Sequence, residues 1–164
     1  MLTRRTLLLS LPPLALAGCG FELRRTPQLP FSRLALQGFT PRSPLLEELR
    51  RTLAPTVQVV EDVAQAEAVL QAVLDRREKS VNASTAAGQV RGVQLRVRFD
   101  FRLTSPAGRE LIGETALQLA RDMTYSETFA LAKEQEEAQL YQAMQSDIVL
   151  QLMRRIAQLK KPAG

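Results

Sequence analysis

The chain has 164 residues and a formal net charge of +5, with 22 Lys and Arg against 17 Asp and Glu. This length favours a single domain. The sequence contains no histidine, no tryptophan and one cysteine. It therefore lacks the commonest general base and the commonest zinc ligand, and it cannot form an internal disulfide.

Residues 1–18 have the composition of a secretory signal peptide. Arg4 and Arg5 form a positive start, an apolar stretch runs from Leu7 to Leu16, and small residues follow it. The apolar stretch is too short to span a membrane. The start, TRRTLL, is also similar to a twin-arginine export signal, so the general secretory and twin-arginine routes both stay open.

The only cysteine directly follows this segment. The residues Leu16-Ala17-Gly18-Cys19 resemble the bacterial lipobox. In such precursors the thiol receives a diacylglyceryl group, the signal is cleaved before the cysteine, and the new amine is acylated. The alternative is an incidental cysteine in an ordinary signal. Each acyl methylene buried in the membrane contributes roughly 0.8 kcal/mol to the free energy of binding. One chain therefore holds a protein only marginally, whereas two or more anchor it stably. We predict a membrane anchor at Cys19 and a lipidated tether over residues 19–30.

The first elements after the tether are a short strand and a helix. The segment SRLALQGF, residues 32–39, alternates apolar and polar side chains, as a strand does. Ser43 can cap a helix, Pro44 suits its first position, and Pro55 stops it. The apolar residues of this helix fall on one stripe: Leu45, Leu46, Leu49 and Leu53.

The next segment is ambiguous. Val57 to Val60 could be a strand, whereas residues 61–77 have a composition that favours a helix. Propensity alone predicts a helix for residues 61–77. The residues themselves therefore leave both structures open here.

The clearest pattern in the chain is that of a β-hairpin. In VQLRVRFDFRL, residues 93–103, six apolar side chains alternate strictly with polar ones. This pattern predicts a long strand with one buried face. The segment TSPAGRE supplies a turn. A second strand follows, with these residues on one face: Leu111, Thr115, Leu117, Leu119 and Met123.

A long helix is predicted from Glu127 to Lys161. Its apolar stripe has helical spacing and consists of Leu140, Met144, Ile148, Leu152, Ile156 and Leu159. The other face is acidic early and basic late, which suits the helix dipole. A sheet with two amphipathic helices makes a two-layer α+β sandwich.

No motif indicates catalysis. The sequence has no Gly-rich phosphate loop and no carboxylate cluster with metal-loop spacing. The acidic residues Glu134, Glu136 and Glu137 fit a solvated helix face. We predict that the protein is not an enzyme and uses neither a cofactor nor a metal.

A binding function has more support. Arg91, Arg96, Arg98 and Arg102 lie on or beside the polar face of the long strand. Guanidinium groups match the geometry of phosphates and carboxylates. The alternative is that one face of the sheet is simply hydrated and charged. Nucleic acid is a poor partner, because the protein is predicted to be exported and lacks aromatic residues interleaved with the basic ones.

Together with the lipobox and the hairpin, the segment MTYSETFALAKEQEEAQLYQAMQSDIVLQLMRRI, residues 123–156, resembles the LptE family of LPS-assembly lipoproteins. The resemblance implies two helices on a four-stranded mixed sheet, in a single domain of residues 31–164, with a strand near residues 67–83. It also implies an outer-membrane lipoprotein that binds lipopolysaccharide and forms a complex with the LptD β-barrel, as plug and assembly factor.

The resemblance implies site residues as well. The family's basic contact at the start of the long helix falls on Lys133, in the matching ALAK. The other basic contact comes two residues before the GQ that matches Gly88-Gln89, and Ala86 stands there. Arg91 is the nearest replacement. The alternative is a non-catalytic structural or ligand-binding envelope lipoprotein on the same fold, with an incidental basic face.

Overall fold

The computed structural model describes residues 28–159. The predicted signal peptide, Cys19 and the predicted tether up to residue 27 lie outside the described residues, as do Lys160 and Lys161. The elements are β1 (Arg33–Gln37), α1 (Pro44–Leu53), β2 (Gln58–Val60), β3 (Ala68–Ser84), β4 (Val90–Thr104), β5 (Glu110–Thr124) and α2 (Ala130–Ala157). Short 3-10 turns cover Val63–Gln65 and Glu127–Phe129.

The first helix begins and ends where the sequence predicts. The Ser43 hydroxyl accepts a hydrogen bond from the Leu46 N–H at 3.1 Å, which satisfies one of the unpaired donors at the helix start. Pro44 is the first helical residue, and the helix ends two residues before Pro55. Its buried side chains are Leu45, Leu49 and Leu53.

The sheet has five strands rather than four, in the order β2-β1-β3-β4-β5. The expected four-stranded sheet is therefore wrong in strand number, while the α+β class with a mixed sheet and two helices is confirmed. The additional strand is β2, which pairs in parallel with β1 from Arg33↔Gln58 to Ala35↔Val60. Because α1 crosses over between the two strands, β1, α1 and β2 form a βαβ unit.

Residues 68–84 form a strand, as the resemblance implied and against helix propensity. β3 pairs in parallel with β1 along its first four residues and antiparallel with β4 along its whole length. Helical structure between residues 61 and 77 is limited to the turn at Val63–Gln65. Pairing with β4, and with β1 along the first four residues, decides the structure of this segment, because tertiary context overrides weak local preference.

The core lies between one face of the sheet and the two helices. In β4, the alternating side chains Leu95, Val97, Phe99, Phe101 and Leu103 are all buried. The Phe99 ring stacks on the Phe101 ring at a centroid distance of 5.7 Å. A smaller apolar cluster consists of Ala35, Val60, Ala66 and Val69.

The second helix starts three residues later than predicted, since residues 127–129 form a 3-10 turn. Its buried side chains are confined to its C-terminal half and are Met144, Gln145, Ile148, Val149, Leu152, Met153 and Ile156. Within residues 28–159, no helix is both long and apolar enough to cross a lipid bilayer.

Candidate ligand-binding site

The three arginines of the predicted basic face lie on the sheet face away from the helices. Arg96, Arg98 and Arg102 alternate along β4 with core residues. Arg98 binds the Asp100 carboxylate with two nitrogens, at 3.0 and 2.8 Å. This bonding raises the pKa of Arg98 above its ordinary value. The Arg102 Nε donates to the Gln71 Oε1 at 2.8 Å.

Arg96 has weaker partners on the same face. It donates to the Gln94 Oε1 at 2.7 Å and lies 3.7 Å from the Glu78 carboxylate, while its Nε has no hydrogen-bond partner. Glu78 and Asp100 thus offset part of the charge of this face. The arginines already hold acceptors, so the face is polar rather than simply basic.

A second group of charged residues lies on the helix side of β3. Asp75, Arg77 and Lys79 stand opposite Phe99, Val97 and Leu95 in the sheet register. Those β4 residues are buried in the core, so the three charged side chains share the face that carries the helices. The sequence did not predict this group. The register shift between Ala72 and Leu74 moves the helix side of β3 from positions 68, 70 and 72 to positions 75, 77 and 79, so alternation along the sequence alone does not identify it.

Each of these three residues has a partner on a helix or at its cap. The Ser43 hydroxyl donates to the Asp75 carboxylate, and Arg77 donates to the Gln145 side-chain oxygen. The Arg77 guanidinium also lies 5.2 Å from the Tyr141 ring centroid, a cation–π distance. The helices are therefore joined to the second half of β3 by polar contacts rather than by apolar packing.

Lys79 is the member of this group that forms an ion pair with α2. Its ammonium lies 2.6 Å from the Glu137 carboxylate and 5.8 Å from the Tyr125 ring centroid. The hydrogen bond to Glu137 is the main cause of the raised pKa of Lys79. Burial is the main cause of the raised pKa of Tyr141, whose hydroxyl donates to the Glu78 carbonyl at 2.8 Å. An open cleft of about 530 Å³ runs between β3 and α2, lined by Arg77, Lys79, Glu134, Glu137, Ala138 and Tyr141.

Lys133, in the first turn of α2, connects this helix to the end of β5 by a hydrogen bond. Its ammonium donates to the Thr124 Oγ1 at 3.1 Å and to the Glu136 carboxylate at 2.8 Å. Its side chain is 19% exposed. Lys133 is therefore a partly covered cation with one carboxylate partner, and its outer surface remains accessible.

Arg91 lies at the same end of the sheet. Its carbonyl accepts a hydrogen bond from the Tyr125 N–H at 2.9 Å, and the adjacent pair Gly92 and Thr124 are partners in the β4–β5 register. Because Lys133 binds that same Thr124, the fold brings both predicted contacts to one end of the sheet. The Arg91 side chain is exposed and donates to the Gln89 side chain at 3.1 Å.

Ala86 lies in the turn between β3 and β4. The turn is closed by the Thr85 N–H, which donates to the Gln89 carbonyl at 2.9 Å, and Gly88 has a φ of 77° there. Ala86 is exposed, and its methyl group offers no charge to a ligand. Any cationic contact near this turn must come from Arg91 or from a residue of a neighbouring element.

No group of three or more acidic, cysteine or histidine side chains that could hold a metal ion occurs in the described part of the chain. The cations and open clefts at the end of the sheet are suited instead to binding an anionic group.

Comparison with known proteins gives one consistent family. A family model described as LptE, lipopolysaccharide-assembly, matches residues 31–156. Proteins named LPS-assembly lipoprotein LptE are similar over 92% of this chain. The one from Yersinia pestis (strain Pestoides F) is 30% identical and is covered over 74% of its length, and the one from Photorhabdus laumondii is 28% identical and is covered over 84%.

Solved structures agree with the fold. The solution structure of an uncharacterized lipoprotein B from Nitrosomonas europaea has a TM-score of 0.71 and 30% identity, covering 84% of this chain and 90% of that one. A minor lipoprotein from Acinetobacter baumannii has a TM-score of 0.63 at 22% identity, covering 82% of this chain and 98% of that one. The second likeness supports the fold alone.

Proposed function

This chain belongs to the LptE family of lipopolysaccharide-assembly lipoproteins, and from that premise we propose that it is an outer-membrane protein that forms a complex with the LptD β-barrel. In this complex it acts as plug and assembly factor, binds lipopolysaccharide, and assists its insertion into the outer leaflet. The observation that carries the proposal is the family match across residues 31–156, from the entry to β1 through nearly all of α2.

Family membership supports the general role of the protein. The protein is an envelope lipoprotein with a role in lipopolysaccharide assembly, and it is not an enzyme. The predicted acylation of Cys19 would supply its membrane anchor. The partnership with LptD, the outer-membrane location and the contact residues are the finer parts of the proposal.

Lys133 and Arg91 are the proposed contacts for lipopolysaccharide. Lipid A and the inner-core sugars carry phosphates and carboxylates, which ammonium and guanidinium groups bind through charge-assisted hydrogen bonds. Both residues lie at the end of the sheet where β4 starts and β5 ends. The resemblance assigns no contact to the arginines of the opposite sheet face, where Glu78 and Asp100 offset part of the positive charge.

Purification of the native complex tests the partnership. The protein is extracted from membranes in mild detergent through a tag at Gly164, and co-purifying chains are identified by mass spectrometry. The proposal expects an LptD β-barrel in equal amount that survives washing. Recovery of the protein alone would contradict the complex and would favour a structural or ligand-binding lipoprotein on the same fold.

A pull-down with purified lipopolysaccharide tests the contacts. The variant carrying Lys133→Glu and Arg91→Glu should lose most of the binding, since both cations become repulsive to an anionic ligand. A matched control carries Arg109→Glu in the β4–β5 turn and Arg154→Glu in the last turns of α2, with the same change in net charge. Equal loss in both variants, or loss in neither, would contradict the assignment of Lys133 and Arg91.

A further inference from the structure

The end of the sheet that carries Arg91 and Lys133 also exposes apolar side chains. Among the described residues, four large hydrophobic side chains are exposed, and three of them come from this end: Val81 at 58%, Phe129 at 65% and Leu131 at 72%. The fourth is Val73, at a register shift in β3. Single exposed hydrophobic residues are ordinary, but several at one end of a molecule are typical of an interaction surface.

A cleft opens at this end, between the tip of the β3–β4 hairpin and the segment that follows β5. Its volume is about 320 Å³, and its walls are formed by Lys79, Val81, Val90, Val93, Tyr125 and Glu127. Three valines and an aromatic ring make most of this lining apolar. Phe129 and Leu131 follow Glu127 by two and four residues. The volume lies at the lower end of the range for small-ligand sites, which suits a slender apolar group.

One cation stands at the wall of this cleft. Lys79 contributes to it and to the neighbouring cleft between β3 and α2. Its ion pair with Glu137 is partly exposed, with 42% of the lysine side chain open to solvent. Exposed pairs of this kind contribute only about 0–1 kcal/mol, so an anionic ligand group can compete for the ammonium. Glu127 is the acidic residue of the wall, and it shares a smaller adjoining cleft with Arg91.

The occupant of this cleft should carry a negative charge beside its apolar chain, because Lys79 belongs to the wall together with three valines and Tyr125. The acyl chains predicted on Cys19 are uncharged and would supply no anionic group to this lysine. A separate anionic amphiphile matches both the apolar wall and the cation.

We propose that this cleft holds one acyl chain of the anionic glycolipid bound by Lys133 and Arg91, with the Lys79 ammonium contacting an anionic group of that lipid at the mouth. This inference rests on the proposed function and adds an apolar subsite and a third cation to it. The ligand is thereby recognised as an amphiphile, by its chain and its charge together.

Tyrosine fluorescence gives a direct test, because the chain has two tyrosines and no tryptophan. With Tyr141→Phe, the emission comes from Tyr125 in the cleft wall alone. The full lipidated protein is placed in nanodiscs of unbrominated phosphatidylcholine. It is then titrated with lipid A carrying brominated acyl chains or with brominated phosphatidylcholine as the uncharged probe. Bromine quenches the emission only at close contact, so quenching by lipid A and not by phosphatidylcholine is expected.

Variants in the same background sharpen the test. Lys79→Ala should raise the Kd for brominated lipid A about tenfold, and Val81→Asn should raise it about threefold. Val73→Asn, also an exposed valine of β3 but outside the cleft, should leave the Kd unchanged. Val81→Asn still tests the cleft if Lys79→Ala fails to fold.

Each contrary result has a distinct meaning. Equal quenching by both probes would overturn the inference, because it would show general membrane or anchor contact. Absent quenching together with retained lipopolysaccharide capture would overturn the acyl subsite and leave the proposed function standing. Loss of all lipopolysaccharide capture by the unsubstituted protein would overturn both.

Discussion

The two halves of α2 are held to the sheet by different forces. Residues 144–157 contain every buried side chain of the helix, and most of those are apolar. Residues 130–143 are mostly exposed and are joined to the sheet through Lys133, Glu137 and Tyr141. β3 divides in the same way, with its buried residues all in Ala68–Ala72. One end of the molecule is thus specified by packing, and the other keeps cations and apolar groups accessible to a ligand.

Because of this division, a ligand can bind at the exposed end of the molecule with little loss in the free energy of unfolding. Burial of apolar area supplies most of the stabilisation of a fold, so a closely packed core has little room for a ligand. Exposed ion pairs and single hydrogen bonds contribute less, and they can be exchanged for ligand contacts. Substitutions at the two ends should therefore differ in their effect on the free energy of unfolding.

The largest effect is expected in the packed end. Phe99 is fully buried, and its ring stacks on Phe39 and Phe101 at centroid distances of 5.7 Å. Phe99→Ala should lower the free energy of unfolding by about 3–5 kcal/mol, because it removes a large apolar side chain and leaves a cavity. Urea denaturation followed by circular dichroism measures the change. A loss below about 1 kcal/mol would show that the core is not centred on β4.

An intermediate effect is expected at Ser43, which joins the packed end to the polar one. Its hydroxyl caps α1 at the Leu46 N–H and donates to the Asp75 carboxylate. Ser43→Ala should cost about 1–2 kcal/mol, since the cap is lost and the carboxylate loses a donor. Ser43→Thr keeps the hydroxyl and serves as the control. Equal destabilisation by the alanine and threonine variants would contradict this double role.

Particular residues show how much of the fold and of the candidate site the sequence predicts. The alternation in residues 93–103 identified the buried face of β4, and Ser43 and Pro44 identified the start of α1, because both signals depend on neighbouring residues. The resemblance, rather than composition, indicated that β3 is a strand. The sequence did not single out Arg77 and Lys79 as a group facing the helix, since their partners Gln145 and Glu137 are 68 and 58 residues away. Lys133 and Arg91 were named as a pair in advance, but their shared position at one end of the sheet follows only from the register.

A smaller effect is expected for the Lys79–Glu137 ion pair. A double-mutant cycle with Lys79→Met and Glu137→Gln should give a coupling of about 0.5 kcal/mol at low salt, reduced at 1 M NaCl by screening. The pKa of Lys79 is raised in the folded state, so folding favours the charged form. Its contribution is therefore present at neutral pH and is lost as the pH rises above the ordinary lysine pKa of 10.5.

The control for this cycle is the Arg50–Glu61 pair near the other end, at 3.3 Å with both side chains well exposed. Arginine remains charged throughout this pH range. The Arg50–Glu61 coupling should therefore stay constant between pH 7 and 11, while the Lys79–Glu137 coupling declines. A Lys79–Glu137 coupling that is independent of both salt and pH would contradict an ionic attachment of α2.

The smallest effect is expected at Leu131, in the first turn of α2, where 72% of the side chain is exposed. Leu131→Ser should change the free energy of unfolding by less than about 0.5 kcal/mol, because the leucine buries little area and serine lowers helix propensity only slightly. Leu152→Ser is the matched change in the same helix. There the side chain is 1% exposed, and its loss together with a buried hydroxyl should cost about 3 kcal/mol or more. If the two variants were equally destabilised, Leu131 would be packed in solution, and the first half of α2 would be part of the core rather than an open surface for a ligand.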